Sequence, residues 1–341
     1  VNYRCTEEIA GPAMRLIENN EKRFSKKIRT NGARGKQIIT RIWQDSFEEN
    51  NRIAEEIKAY QAAGYRYGDI AVLYRTNSGP RLLMEKLMEY NLPFKARDSV
   101  PNLYEHWISR NILTYIRIAL GSRERADFLQ IINRPKRYIS RDSLRNPQVS
   151  FNELKEWYHD KDWVADRIEN LEYDLKAVSR MSPLAAVNYI RQGVGYDGFL
   201  EEFAAGRRMK PEELFETADQ LKEAAGFKTF EEWFRHIEDY GEELKRQAQA
   251  GLKEKSQDAV TLATMHGSKG LEFKIVYILD ANEGVTPHGK AALDEDMEEE
   301  RRLFYVAMTR ARERLHVYAV KERYHKKAEL SRFVEEYLCK E

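Results

Sequence analysis

Within the ten-residue stretch Thr264-Met265-His266-Gly267-Ser268-Lys269-Gly270-Leu271-Glu272-Phe273 the chain gathers hydroxyls, an imidazole, an ammonium and a carboxylate. The segment lies between 259–263, small and β-branched, and 275–279, a run of Ile, Val, Tyr, Ile and Leu. Such apolar runs are expected of strands covered on both faces. Two glycines allow a sharp turn where a buried strand ends, the place where open α/β sheets bind ligands. The plain alternative is a polar loop, since Gly-Ser-Lys-Gly lacks the spacing of a phosphate-binding G-x-x-x-x-G-K-[ST] loop.

A second stretch, Glu298 to Arg312, reads EEERRLFYVAMTRAR and precedes the strand-like Leu315 to Val320. Glu298, Glu299 and Glu300 suit a helix N-terminus, where the macrodipole favours negative charge. Leu303 and Ala307 share one face, and Arg310 continues their stripe. An arginine on a core-facing stripe needs a counter-charge, because an unpaired buried charge is costly. Two partners are open: a local glutamate, or a phosphate held in the bidentate geometry for which arginine is suited.

The elements that would position these groups alternate between strand and helix. Thr6 is a candidate cap, although Gly11-Pro12 predicts that the regular helix starts at Pro12. Asn31-Gly32 and Gly35 mark a turn, and Gln37 to Trp43 reads as a strand. Ser46 with Glu49 forms a capping-box pattern ahead of a helix that carries Ile53, Ile57 and Tyr60 on one face. Asp69 to Tyr74 reads as a buried strand, Pro80 to Tyr90 as a helix, and Leu92 to Ala96 as a short extended segment. That alternation predicts a parallel α/β sheet. From about Val100 to Ser256 the periodicity is helical, with amphipathic segments at 107–120, 163–180 and 230–250 punctuated by Gly and Pro. Residues 251–258 read as a linker back to the sheet, and the acidic run Asp294-Glu295-Asp296 as a solvated loop.

Composition narrows the class. At 341 residues the chain can bury two cores. Lys plus Arg is 57 against 56 for Asp plus Glu, so a nucleic-acid path must be a local stripe and not a global charge. Cys5 and Cys339 have no metal-ligand or redox spacing and are expected to be free thiols in a reducing, cytoplasmic compartment. No apolar run reaches the roughly 18 to 20 residues that span a bilayer. Nor is there a phosphate-binding loop: Gly35-Lys36 and Gly289-Lys290 lack both the preceding glycine and the following Ser or Thr.

The two polar stretches together resemble a known family. His266 to Phe273 is similar to motif V, and Glu299 to Leu303 with Thr309-Arg310-Ala311 to motif VI, of superfamily 1 DNA helicases of the UvrD/PcrA/Rep type. Asn2-Tyr3-Arg4 resembles motif IV, and Tyr74-Arg75-Thr76-Asn77 a further segment that touches single-stranded DNA in that family. The resemblance implies a discontinuous RecA-like parallel-sheet domain, 1–98 and 258–341, interrupted by an all-helical inserted subdomain, 99–257. It implies ATP as cofactor, with Mg held by an N-terminal half that is absent here, so that the chain reads as a fragment inactive by itself. Tyr3 would stack on adenine, Arg4 and Arg310 would act as catalytic arginine fingers on the γ-phosphate, and Glu272 would accept from a ribose hydroxyl. Arg75, Asn77, Thr264, His266 and His288 would contact DNA along the opposite edge, with Tyr324 and His325 as candidates for base stacking. No metal-binding residue is expected in this chain. The implied partners are single-stranded DNA, single-strand/duplex junctions and the N-terminal half of the same polypeptide, with no membrane. Motor activity would run 3′ to 5′ with duplex unwinding. A segment of a recombination-type helicase-nuclease subunit, or a non-catalytic DNA-binding or partner-docking module, are the other readings. One departure is visible: where the family carries a Gly-Ile-Gly turn that grips duplex DNA, this chain has Tyr138-Ile139-Ser140, leaving Lys136 and Arg137 as its phosphate contacts.

Overall fold

Five residues in a row, Ile70 to Tyr74, are fully buried and form the middle strand of a parallel sheet. A computed structural model describes residues 5–21, 36–77, 79–253 and 258–338, with the side chains of 248–253 left aside. The sheet contains β1 (Ile39–Asp45), β2 (Ile70–Tyr74), β3 (Phe94–Ala96), β4 (Val260–Thr264), β5 (Phe273–Ile278), β6 (Ala311–Arg323) and β7 (Lys326–Lys327). Their order is β1-β6-β5-β2-β4-β3, every neighbour parallel, and β7 folds back antiparallel on β6. Parallel strands need cover on both faces. Helices α1 (Glu7–Glu18), α12 (Asp294–Met308) and α13 (Arg332–Leu338) share one core with Ala71, Leu73, Val276, Ile278, Leu315 and Val317. The other face is covered by α2 (Ser46–Ala62), on which α3 (Arg81–Glu89) packs.

A polar chain crosses that second face. Glu56 on α2 accepts from the hydroxyls of Tyr277 (3.0 Å) and Tyr318 (2.7 Å), while His316 sits between Tyr60 and Tyr318 and stacks on Tyr277. Burial holds the His316 imidazole far below its ordinary value, at about 3, with Arg314 and Arg41 adding repulsion.

The chain divides into two units, Val1–Pro101 with Glu242–Glu341, and Asn102–Gly241. The second is helical: α4 (Trp107–Ala119), α5 (Arg125–Ile131), α6 (Phe151–Trp157), α7 (Asp162–Val178), α8 (Pro183–Gln192), α9 (Tyr196–Arg207), α10 (Pro211–Glu223) and the first part of α11 (Phe230–Lys253). Its centre is α4, whose Ile108, Ile112, Tyr115 and Ile116 are buried and which packs against α5, α7, α8 and α10. No helix among the described residues is long and apolar enough to cross a membrane.

Several local expectations shift. Helix α1 starts at Glu7 and runs through Pro12, because buried Ile9, Ala13 and Leu16 on either side outweigh the one backbone bond that proline cannot make. The cap of α2 is Asp45, which accepts from the Glu48 amide at 2.8 Å, and Glu48 in turn accepts from the Gln44 amide. Ser46 and Glu49 are thereby carried into the helix and buried. The acidic run 294–296 is no loop but the first turn of α12, where negative charge is favoured. Strand β6 extends well past 315–320, its polar ends held by pairing with β1, β5 and β7. Helix α11 continues to Lys253, so the expected linker at 251–258 begins helical. The turn expected at 31–35, and Cys339, lie outside the described residues.

Candidate functional site

Parallel strands leave the sheet with two unlike edges. At the C-terminal edge of β2, Arg75 donates through Nε to Glu300 Oε2 (2.8 Å) and through Nη2 to Glu300 Oε1 (2.5 Å). Glu300 also accepts from the backbone amide of His288 at 3.1 Å, so one carboxylate of α12 ties the loops after β2 and β5 together. Burial by itself would raise the Glu300 pKa; the Arg75 hydrogen bond and the His288 amide outweigh it and hold the carboxyl below its ordinary value. Arg75 is held up correspondingly by Glu300. His288 is half-buried, its Nδ1 accepting from the Lys290 amide (3.2 Å), while Asn77 stands exposed.

Thr264 ends β4 at the same edge. Its amide donates to Asp98 Oδ2 at 2.6 Å, and its Oγ1 accepts from the Gly267 amide at 2.9 Å. A Cβ on Gly267 would stand 2.7 Å from the Asp98 carboxylate, so the tight packing of the loop requires glycine here. His266 is exposed at the loop's tip. From this tip the chain must return to the start of β5, on the far side of β2, and it does so through Met265–Glu272 alone. Parallel connections usually need a dozen or more residues. Here helix-like turns, Ser268 N to Thr264 O (2.9 Å) and Leu271 N to Ser268 O (3.0 Å), with Ser268 Oγ on Met265 O (2.6 Å), compact the crossover.

The crossover delivers Glu272 to the N-terminal edge beside Arg310. Arg310 lies just beyond α12, not on its stripe, because the helix ends at Met308 with Thr309 as cap. Its guanidinium donates to the carbonyls of Val306 (2.8 Å) and Leu271 (3.0 Å) and to Thr309 Oγ1 (3.2 Å), and its own carbonyl accepts from Phe273 N (2.9 Å). Three oxygens, two carbonyls and a hydroxyl, thus fix the guanidinium. Glu272 pairs with Arg312, which donates through Nε at 2.9 Å, while Lys274 reaches Asp69 at 3.0 Å. Tyr3 and Arg4 lie outside the described residues; the described chain begins at Cys5, a buried thiol that donates to Thr309 O at this edge.

Tyr324 and His325 form the two-residue tip of the β6–β7 hairpin, with φ of 53° and 60°. Both positions of this turn call for Asn or Gly, so two ring-bearing residues there are strained. The tip borders a cavity of about 490 Å³ shared with Asn282, Glu283 and Arg323. In the helical unit Arg137 is buried, its Nη1 directed at the carbonyls of Ile132 (3.2 Å) and Pro135 (3.3 Å), so it cannot serve as the expected phosphate contact; Lys136 remains exposed.

Three partners escaped sequence reasoning. Glu300 carried a signal as a helix-start acid and as part of the run similar to motif VI, but none for its partner; Arg312 carried none beyond its charge, and Asp98 none at all, since its partner Thr264 is 166 residues away.

A sheet with parallel neighbours throughout its main path, helices on both faces and polar groups at opposite strand ends defines a RecA-like α/β domain. The sequence model of the UvrD-like helicase C-terminal domain matches residues 1–322, and the chain belongs to that family. A relative named ATP-dependent DNA helicase PcrA, from Staphylococcus epidermidis, is 31% identical over 343 residues, covering 93% of this chain and 45% of the relative. The protein of the same name from Staphylococcus aureus is 30% identical over 341 residues, with the same coverage. The chain therefore spans less than half the length of the curated relatives it matches.

Proposed function

We propose that this chain is the second motor domain, with its helical insertion, of an ATP-dependent DNA helicase that moves 3′ to 5′ on single-stranded DNA and unwinds duplex at junctions. The observation that carries the reading is the Met265–Glu272 crossover, which joins Thr264 and His266 at one sheet edge to Glu272 and Arg310 at the other. One short rigid segment touching both edges can convert nucleotide state into a displacement at DNA.

In this reading Arg75, Asn77, Thr264, His266 and His288 line the DNA edge, and Arg75 exchanges part of its Glu300 pairing for phosphate. Glu272 accepts from the ribose, Tyr3 stacks on adenine, and Arg4 and Arg310 neutralise charge on the transferred phosphoryl group. ATP, when bound, supplies the phosphoryl transfer. In this reading Mg is held by the N-terminal half of the polypeptide. The chain by itself is then inactive as an ATPase, and its compartment is the reducing cytoplasm.

The test is DNA-stimulated ATP hydrolysis by the full-length protein with Arg310→Ala and Arg310→Lys. An arginine finger predicts a loss of roughly a thousandfold or more in both, with single-strand binding retained. Because Arg310 also ties Leu271 to α12, thermal stability is measured alongside. Hydrolysis that stays at the wild-type rate, or that falls only where the fold melts and returns with lysine, removes the finger assignment.

A further inference from the structure

The turn that replaces Gly-Ile-Gly builds something of its own. Tyr138 has φ of 60° and is 53% exposed, an unusual conformation for a bulky residue. Asn133 enforces it: the side-chain oxygen accepts from both the Arg137 amide (3.1 Å) and the Ile139 amide (3.1 Å), and Nδ2 donates to Ile139 O (2.7 Å). Buried Arg137 on one side and Ser140, whose amide donates to Tyr158 Oη at 2.6 Å, on the other complete the clamp. The surrounding bonds hold the backbone so that the ring points outward.

Beside it stands Trp163 of α7, 51% exposed, with ring centroids 5.6 Å apart and planes at 74°. Lys136 Nζ lies 4.5 Å from the Tyr138 ring, and the Arg167 guanidinium 5.0 Å from each of the two rings. Neither cation is in an ion pair with a described residue, and Arg167 Nη1 is buried without a hydrogen-bond acceptor. In the sheet unit, by contrast, Arg75, Arg301 and Arg332 are each taken up by a carboxylate. At the end of α6, Trp157 is covered by Arg145 from the preceding loop at 3.9 Å.

We propose that Lys136, Tyr138, Trp163 and Arg167 form a binding site for unpaired nucleic acid, in which a base stacks on the exposed rings and the adjoining phosphate takes the two cations. Exposed aromatic residues interleaved with cations outside any ion pair are the physical signature of single-strand binding: every base has a π face, and the phosphate charge needs a donor not already taken by a carboxylate. A protein partner would also use Trp, Tyr and Arg, but two uncompensated cations at the centre of such a contact would have to be buried, whereas phosphate neutralises them. The site lies wholly in the helical unit, shares no residue with the proposed DNA edge, and does not depend on it.

The test uses the full chain with a short oligodeoxythymidylate at low salt, followed by fluorescence anisotropy. Tyr138→Gly removes the ring and relieves the backbone, so the protein should be at least as stable; with Trp163→Ala added, binding should weaken about tenfold or more, the scale of base stacking on aromatic rings. Lys136→Ala should lower the salt dependence by about one counterion. Arg75→Ala measured in parallel separates the two sites: it reports the sheet edge, and its outcome leaves the patch standing or falling by its own variants. Unchanged affinity in the stable Tyr138→Gly, Trp163→Ala protein overturns the proposal. Equal loss of binding to a blunt duplex, which offers no unpaired base in its interior, also overturns it in favour of duplex contact.

Discussion

The two edges of the sheet satisfy their arginines by different chemistry. At the C-terminal edge Arg75 is held by a carboxylate, Glu300, that a phosphate would have to displace. At the N-terminal edge Arg310 is held by the carbonyls of Leu271 and Val306, neutral dipoles that leave its charge uncancelled by those contacts. A carboxylate partner is a competitor for an anion, whereas a carbonyl partner positions the cation without neutralising it. The first arrangement favours an exchangeable contact, the second a fixed one.

The largest effect should come from breaking the acidic partner. Glu300→Ala leaves Arg75 half-buried and the His288 amide unpaired, and should cost about 2 to 3 kcal/mol in denaturant unfolding. The pH dependence sharpens the contrast. Because the folded pKa of Glu300 lies below its ordinary value of 4.5, the pair's stabilisation is complete above that pH and is lost as pH falls through the folded value. The gap in melting temperature between wild type and Glu300→Gln should therefore close in acid. The contacts of Arg310 with the Leu271 and Val306 carbonyls do not titrate over that range. A Glu300→Gln gap that stayed open in acid would show that Arg75 does not depend on the Glu300 charge.

Next in size is the crossover that joins the edges. Gly267→Ala drives a methyl against the Asp98 carboxylate, which cannot retreat without giving up the Thr264 amide, at a cost of about 1 to 3 kcal/mol. Adding Asp98→Ala should recover part of that cost, a coupling that a double-mutant cycle measures directly. Strict additivity would show that the clash lies elsewhere. The smallest effect is expected at the hairpin tip: Tyr324→Asn with His325→Gly should raise stability by about 1 kcal/mol by relieving two left-handed residues. No gain in melting temperature would mean that the rings contribute packing equal to the strain they cause.

The alternation of buried strands with amphipathic helices, and the switch to helix alone near residue 100, were legible because apolar periodicity is a local property. The residues of the two polar stretches were legible for the same reason, as chemistry concentrated in short runs. Element ends were less so. The cap of α2 moved from Ser46 to Asp45, and α12 began at Asp294 rather than within the three glutamates, since neighbouring acids and hydroxyls compete for the same amide donors and packing selects among them.

What the sequence by itself determined is the inventory: a parallel α/β sheet interrupted by helices, a glycine-turned polar crossover, and an arginine at 310 in need of a partner. Which partner each group takes was decided by tertiary structure. Arg75 meets Glu300 across 225 residues, Thr264 meets Asp98 across 166, and Arg310 meets the Leu271 carbonyl across 39. A chain carrying so many carboxylates offers each arginine many equivalent choices. Only strand order, which sets loops distant in sequence side by side at one sheet edge, singles out the one within hydrogen-bonding reach.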